Sequence, residues 1–383
     1  MLHLVNLTAF RILVLTAISL VAGACSQLTP LAPPAPAIQN TTVFVGDENR
    51  TLYALNALTG SQQWQVSTQE LISSPPTVSQ RIVYALSDHQ VYALDSQTGQ
   101  KKWTYTSEDT GTNTRSTLIS SGDKVYFVGN NGRKLYALDA LTGTKKWAVS
   151  APGFDPSGYP RVYGLPTAAN QKVYIGSGNT VYVLDAQTGL AQQELLFGGG
   201  IYGAPLVAEG TLFVGCYDGK LYALDALTGQ AKWESSLGGW LIYVNLVGRT
   251  LYVNSWQEVF ALDVRTGAQH WRFKPAISGN TGARSIANGI VYGSYSLLDS
   301  PEAQLYALDA ATGNKKWDTW TWPGGFNGRA SRAIAANGLV YVAGRDHTLY
   351  ALDGTTGQIR WSSPTSGDIT TSPCVVTQQG VFF

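Results

Sequence analysis

The chain has 383 residues, of which 13% are charged and 11% aromatic, with a formal net charge of +1 and 41 glycines. Charge at about half the usual share, with no basic run, excludes a nucleic-acid binder recruited by its field, and the abundance of Gly and aromatics suits tight turns and packed sheets. The four His are scattered and the three Cys show no metal-ligand spacing, so no His or Cys metal cluster is legible.

From the N-terminus, Arg11 precedes an apolar run, Ile12 to Ala22, of signal-peptide length and too short to span a bilayer comfortably. Residues 1–24 are therefore read as a signal peptide. Ala22-Gly23-Ala24-Cys25 fits either an ordinary small-x-small cleavage site or a lipobox whose Cys25 is acylated before cleavage, and both readings leave Cys25 first. The segment resembles a bacterial lipoprotein signal, with Ala22 where that family usually has Leu. By the same resemblance, Ser26 in place of Asp implies that nothing retains the protein at the inner membrane. Residues 25–40, with Pro30, Pro33, Pro34 and Pro36, read as a semi-rigid tether behind a lipidated Cys25.

From residue 41 onward the sequence repeats. LYALDALTGTKKW, Leu135 to Trp147, recurs in versions whose Thr-Gly pairs are Thr59-Gly60, Thr98-Gly99, Thr142-Gly143, Thr188-Gly189, Thr228-Gly229, Thr266-Gly267, Thr312-Gly313 and Thr356-Gly357. An interval of about 42 residues is that of propeller blades or helical arrays. The unit around Tyr222 decides between them. Ala204 to Gly210, Thr211 to Cys216, Lys220 to Asp225 and Ala231 to Ser236 are short runs of Val, Leu and aromatics separated by Gly, Asp and Asn, the signature of four antiparallel strands. Residues 41–383 are therefore predicted to be all-β, an eight-bladed propeller of four-stranded antiparallel blades.

Within each copy the Asp after the third strand (Asn56 in the first) can accept hydrogen bonds from the following turn, and the Gly supplies positive φ. Trp64, Trp103, Trp147, Trp233, Trp271, Trp317 and Trp361 follow four residues later, with Gln193 in the fourth copy. A residue repeated around a ring reads as structural docking between blades rather than as a ligand-stacking site. Cys216 and Cys374 lie in apolar strand-like runs far apart in repeat order and read as buried free thiols. The first copy has its second strand, Thr42 to Gly46, but no first strand, while Thr371 to Val376 is first-strand-like, so the C-terminal strand is expected to close the ring. Val381 to Phe383 has no assigned place.

These residues resemble the PQQ-type eight-bladed propeller repeat, over Thr41 to Phe383. The resemblance implies the fold without implying that pyrroloquinoline quinone binds. Quinone dehydrogenases sharing the repeat typically have an adjacent Cys pair and often a haem segment. This chain has neither a Cys pair nor CxxCH. Asp155, Asp299 and Asp368 read as solvated loop acids, so no catalytic, cofactor-binding or metal-binding residue is assigned, no cofactor is expected, and the protein reads as a non-enzyme.

Strand alternation puts the connections after second and fourth strands on one face, where length and composition vary. Arg115, Arg161, Arg284, Arg329, Arg332, Trp240, Trp256, Trp320 and Trp322 all fall there. All but Trp256 are taken as candidate partner-binding residues, because Arg and Trp are enriched at recognition surfaces. A lipobox-like Cys25, a proline tether and eight such blades together resemble the BamB-like lipoproteins of the outer-membrane β-barrel assembly machinery. That resemblance implies an exported, lipid-anchored, noncatalytic scaffold of the cell envelope, on the periplasmic side of the outer membrane or at the cell surface, expected as a monomer whose protein partner is a BamA-type component. In that family a Leu-x-Leu-Arg segment with a Pro five residues on makes the contact; Arg161 and Pro166 match the spacing, while Gly158 and Pro160 stand at the Leu positions. The alternatives are a PQQ-binding quinoprotein, dehydrogenase or sensor, and an envelope polysaccharide or peptide binder using Trp240, Trp320 and Trp322.

Overall fold

β-branched and aromatic runs form the strands, and the Gly, Asn and Asp between them form the turns. The computed structural model describes residues 41–108, 117–129, 134–150, 164–275, 279–297, 303–319, 333–344, 346–369, 371–377 and 380–382. No helix occurs among them. The signal segment, Cys25 and the tether lie outside the described residues.

The strands run β1 (Thr42–Gly46), β2 (Thr51–Asn56), β3 (Gln62–Ser67); then β4 (Thr77–Ser79), β5 (Ile82–Ser87), β6 (Gln90–Asp95), β7 (Lys101–Thr106). The third and fourth blades are β8 (Thr117–Ser121), β9 (Lys124–Gly129), β10 (Lys134–Asp139), β11 (Lys145–Ser150), and β12 (Thr167–Ala169), β13 (Lys172–Ser177), β14 (Thr180–Asp185), β15 (Ala191–Leu196). The fifth and sixth are β16 (Leu206–Ala208), β17 (Thr211–Gly215), β18 (Lys220–Asp225), β19 (Ala231–Ser236), and β20 (Leu241–Val247), β21 (Thr250–Ser255), β22 (Val259–Asp263), β23 (Gln269–Phe273). The seventh and eighth are β24 (Gly279–Ala287), β25 (Ile290–Leu297), β26 (Ala303–Asp309), β27 (Lys315–Asp318), and β28 (Ile334–Ala336), β29 (Leu339–Ala343), β30 (Thr348–Asp353), β31 (Ile359–Pro364). Last come β32 (Cys374–Thr377) and β33 (Gly380–Phe382).

Seven sheets pair four consecutive strands antiparallel, and the eighth has the order β3-β2-β1-β32-β33. β32 pairs with β1 in the register Thr42↔Val376, Val43↔Val375, Phe44↔Cys374. It also contacts β28 on one side and β4 on the other, which is the place of a first strand in the ring. The C-terminal strand thus closes an eight-bladed all-β propeller. Val381 and Phe382, unplaced from sequence, belong to β33, a fifth strand on the inner edge of the first blade.

The core is a ring of layers between neighbouring blades rather than one central mass. Tyr84, Leu86 and Val91 pack with Val125, Phe127 and Tyr136; Tyr341 and Leu349 pack with Val43, Val45 and Tyr53. The repeated residues set the spacing. In every blade but the fifth, the repeat Gly lies so close to the indole of the preceding blade that a Cβ would clash: 2.8 Å for Gly99 on Trp64, 2.6 Å for Gly143 on Trp103, 2.5 Å for Gly60 on Trp361. The indole N–H then donates to a backbone carbonyl of the next blade, Trp103 to Ala140 O at 3.1 Å, Trp271 to Ala310 O at 3.0 Å, Trp361 to Ala57 O at 3.2 Å. A tyrosine from the second strand often donates to that same oxygen: Tyr84 to Ala140, Tyr252 to Ala310, Tyr292 to Gly354 and Tyr341 to Ala57.

The third and fourth strands slip by one residue in every blade, for example at Ala137/Leu138 and Ala223/Leu224. The bulged residue, just before the Trp, reaches back to the repeat Asp: Lys102 to Asp95 at 3.4 Å, Lys146 to Asp139 at 3.1 Å, Arg360 to Asp353 at 2.6 Å. The other carboxylate oxygen accepts two backbone N–H groups of the turn, as Asp139 does from Leu141 and Thr142. Turn N–H bonds from Thr142 and Thr228 pull Asp139 and Asp225 down to about 2, and the Arg360 guanidinium does the same to Asp353. Asn56 keeps the turn bonds in the first blade without a charge, accepting from Leu58 and Thr59.

The fourth blade departs from the pattern. Gln193 Nε2 donates to Thr228 O at 3.1 Å, its Oε1 is buried without a hydrogen-bond partner, and Leu195 rather than an indole lies against Gly229. Cys216 and Cys374 are free and buried, and burial pushes both thiols far up. Nothing in the structure connects them.

Two measurements check these forces. Gln193→Trp combined with Leu195→Val, which copies the Trp147 and Val149 pair of the third blade, should raise stability by about 1 kcal/mol in urea unfolding. For the aspartates the folded-state pKa lies below the ordinary carboxyl value of 3.8, so their stabilisation is complete above that pH and is lost as pH falls from 3.8 toward about 2. Thermal melts at pH 5, 3 and 2 should show that loss, and it should be smaller in a triple Asp139→Asn, Asp225→Asn, Asp353→Asn variant, which keeps the acceptor as Asn56 does.

Candidate functional site

On the variable face, four aromatic rings from four separate connections form one ladder across the fourth to sixth blades. Tyr202 follows β15, Tyr217 lies between β17 and β18, Trp240 between β19 and β20, and Trp256 between β21 and β22. Tyr202 stacks on Tyr217 with centroids 4.0 Å apart, and Tyr217 stacks on Trp240 at 4.9 Å and an interplanar angle of 3°. Trp256 meets Trp240 edge-on at 5.1 Å. Stacked and edge-to-face pairs each add about 0.5–1.5 kcal/mol beyond burial, so the rings hold one another as well as presenting a surface.

Backbone bonds fix the connections that carry the rings. Tyr217 N–H donates to Gly200 O at 2.9 Å, Leu241 N–H to Cys216 O at 3.2 Å, and Trp256 N–H to Trp240 O at 3.1 Å. Gly203 lets the inner ends of blades approach: a Cβ there would lie 1.8 Å from Ile242 O, a backbone atom that has no freedom to yield. Tyr222 O–H donates to Asp218 Oδ2 at 2.7 Å beneath the ladder, and burial, then that carboxylate, push the phenol up.

Trp240 is 48% exposed and forms one wall of a cleft of about 530 Å³. Trp256, Gln257, Glu258 and Arg272 line the rest, together with Leu237, Gly238, Gly239 and Ser255. Glu258 lies 3.6 Å from Lys274. Two flat faces with an amide, a carboxylate and a guanidinium at the rim suit recognition of a surface or ligand carrying both apolar and polar groups. Two further notches, of about 510 and 400 Å³, lie on the repetitive face between the sixth and seventh and the third and fourth blades. Their lining is the repeat itself, Asp309 and Lys316 in one and Asp185 and Lys124 in the other, so they belong to the blade pattern.

Of the candidate partner-binding residues, the structure places Trp240 in this ladder and the backbone of Arg284 in β24. The Arg284 side chain and Arg115, Arg161, Arg329, Arg332, Trp320 and Trp322 lie outside the described residues, as do Asp155 and Asp299. Trp64, Trp103, Trp147, Trp233, Trp271, Trp317 and Trp361 all sit between blades against the repeat glycines. Tyr202, Tyr217 and Arg272 were missed from sequence. The two tyrosines had a signal, an aromatic inside the Gly-rich segments GGGIYG and GCYDG on the variable face.

The family model described as outer membrane protein assembly factor BamB matches residues 24–195, 134–285, 179–321 and 301–382. No curated protein matches the chain. Among solved structures, BamB from Moraxella catarrhalis is 18% identical, with 88% of this chain and 92% of that one covered and a TM-score of 0.48. A quinohemoprotein alcohol dehydrogenase from Comamonas testosteroni is 16% identical over 87% of this chain and 72% of that one, TM-score 0.64. The dihydro-heme d1 dehydrogenase NirN is 14% identical over 90% and 77%, TM-score 0.67. At such identities the likeness shows the fold alone.

The ladder gives a direct test of how tightly the inner ends are packed. Gly203→Ala should cost at least about 2 kcal/mol and change the near-UV circular dichroism of the stacked rings, because the carbonyl of Ile242 has to move and Tyr202 moves with it.

Proposed function

Because the chain belongs to the family of outer membrane protein assembly factor BamB, we propose that it is a noncatalytic binding propeller of the cell envelope. In this reading Cys25 is acylated and residues 26–40 hold the propeller off the membrane. The partner is a protein of the outer-membrane assembly machinery, of BamA type, and it docks on the variable face. The observation that carries the reading is the exposed Trp240 within an aromatic ladder, beside a cleft with charged rims, on the face to which repeat position assigns the candidate arginines. An aromatic anchor surrounded by polar groups is how protein interfaces concentrate their binding energy. Arg161, Arg115, Arg284, Arg329 and Arg332, with Trp320 and Trp322, are assigned to the same surface by their position in the repeat.

The experiment is a photo-crosslinker at position 256, beside Trp240, in full-length protein in native envelopes. Recovery of an assembly component, reduced about fivefold or more by Trp240→Ala in a chain that keeps its far-UV circular dichroism and a cooperative melt, supports the reading. Tight binding of pyrroloquinoline quinone to purified protein, with alcohol or sugar oxidation, overturns it in favour of a quinoprotein. Cys25→Ala should release the protein from the membrane fraction and abolish palmitate labelling; unchanged fractionation removes the lipid anchor from the proposal.

A further inference from the structure

We propose that Glu48, His347 and Asp368 bind a six-coordinate divalent transition-metal ion that clamps the last blade to the first. The three side chains come from separate segments: the β1–β2 turn, the β29–β30 turn, and the connection from β31 to β32. One potential ligand atom from each lies within 4.8 Å of the other two. His347 Nδ1 is 2.8 Å from Asp368 Oδ1, yet that oxygen is shielded from solvent and accepts no aligned hydrogen bond.

Two atoms that far apart, each ~2.1 Å from a shared ion, subtend roughly 85° at it, close to the octahedral angle and well below the tetrahedral one. An imidazole nitrogen aimed at that shared point is necessarily misaligned toward the oxygen, as Asp368 Oδ1 is found. Two carboxylates and a neutral imidazole complement a dication, and imidazole selects first-row transition metals over the all-oxygen preference of calcium. Among the described residues neither Glu48 nor Asp368 is ion-paired with a Lys or Arg.

The segments are already held in place. Glu48 N–H donates to Asp368 O at 2.8 Å, Thr365 N–H and Oγ1 both donate to His347 O at 2.7 Å, and Asn49 Nδ2 donates to Ser366 O at 2.6 Å. Beneath them the fully buried Asp47 carboxylate accepts from Thr51 N–H, Tyr53 O–H and Ser366 O–H, so its own oxygens are committed. His347 occupies a left-handed turn position, φ 59°, that Gly219 fills in the fifth blade. Support of this kind is what fixes ligand orientation at metal sites. Function of such an ion follows from its place: it joins the two blades whose contact closes the ring.

The test uses untagged full-length protein stripped with chelator and titrated with Co²⁺, alongside Mn²⁺ and Ca²⁺. One Co²⁺ per chain, with the weak pink spectrum of a six-coordinate ion and a raised melting temperature, is expected. His347→Ala and Asp368→Asn should each weaken binding about tenfold or more, and His270→Ala, on the outer strand β23, should not. Glu48→Gln, at an exposed position, provides a variant whose folding is not in question. No binding at 1 mM (~10³ times a micromolar site), affinity indifferent to all three ligand variants, or preference for Ca²⁺ overturns the proposal.

Discussion

One contact, an indole face on a glycine backbone, is made again and again around this ring, and the rest of the molecule follows from it. The absent Cβ lets the Trp lie flat against the next blade, and the indole N–H finds the carbonyl of the residue after the repeat Asp. Where the second strand supplies Tyr, its hydroxyl reaches the same oxygen, so two aromatic side chains of one blade hold a single backbone atom of the next. That arrangement satisfies three polar groups in a tightly packed seam, which an apolar contact of equal area would leave unpaired. The bulge before the Trp completes the unit, because it turns the preceding Lys or Arg toward the repeat Asp and the Trp toward the neighbour.

The copy of this contact that lacks its indole and the first rings of the candidate binding surface lie along one seam, between the fourth and fifth blades, toward opposite faces of the ring. Gln193 ends the pattern in β15, and the connection that leaves β15 carries Tyr202, the first ring of the ladder. At the same strand end Leu196 is 77% exposed. The ladder then supplies, through stacked rings, some of the blade-to-blade cohesion that the missing indole does not.

How far the sequence could be read depended on whether neighbours in space were also equivalents in the repeat. Asp, Gly and Trp recur at one spacing, so the strands, the blade number and closure by the C-terminal strand were legible from Thr42 to Val376. The tyrosine that shares the Trp carbonyl was not, since Phe44 and Phe213 interrupt it. For the site, strand alternation put Trp240 and Trp256 on one face, but only ring geometry brings Tyr202, Tyr217, Trp240 and Trp256 into one stack. Glu48 and His347 are about 300 residues apart and have no periodic relation, and sequence separation of that size hides a pair that the seam makes adjacent. β33 was illegible for a different reason: a fifth strand has no counterpart in any other blade.

The seam between β1 and β32 also sets the order of events in folding. Gly46 N–H is bonded to Thr371 Oγ1 across 325 residues, and Phe44 faces Cys374. A chain synthesised from its N-terminus presents β1, β2 and β3 as a three-stranded sheet with a bare inner edge until nearly everything else has emerged. Blades two to eight can each form from contiguous sequence, whereas the first must wait for its missing strand. Such an interval is when an open sheet edge pairs wrongly, and it makes the first blade the segment whose protection while the chain emerges governs the yield of closed rings.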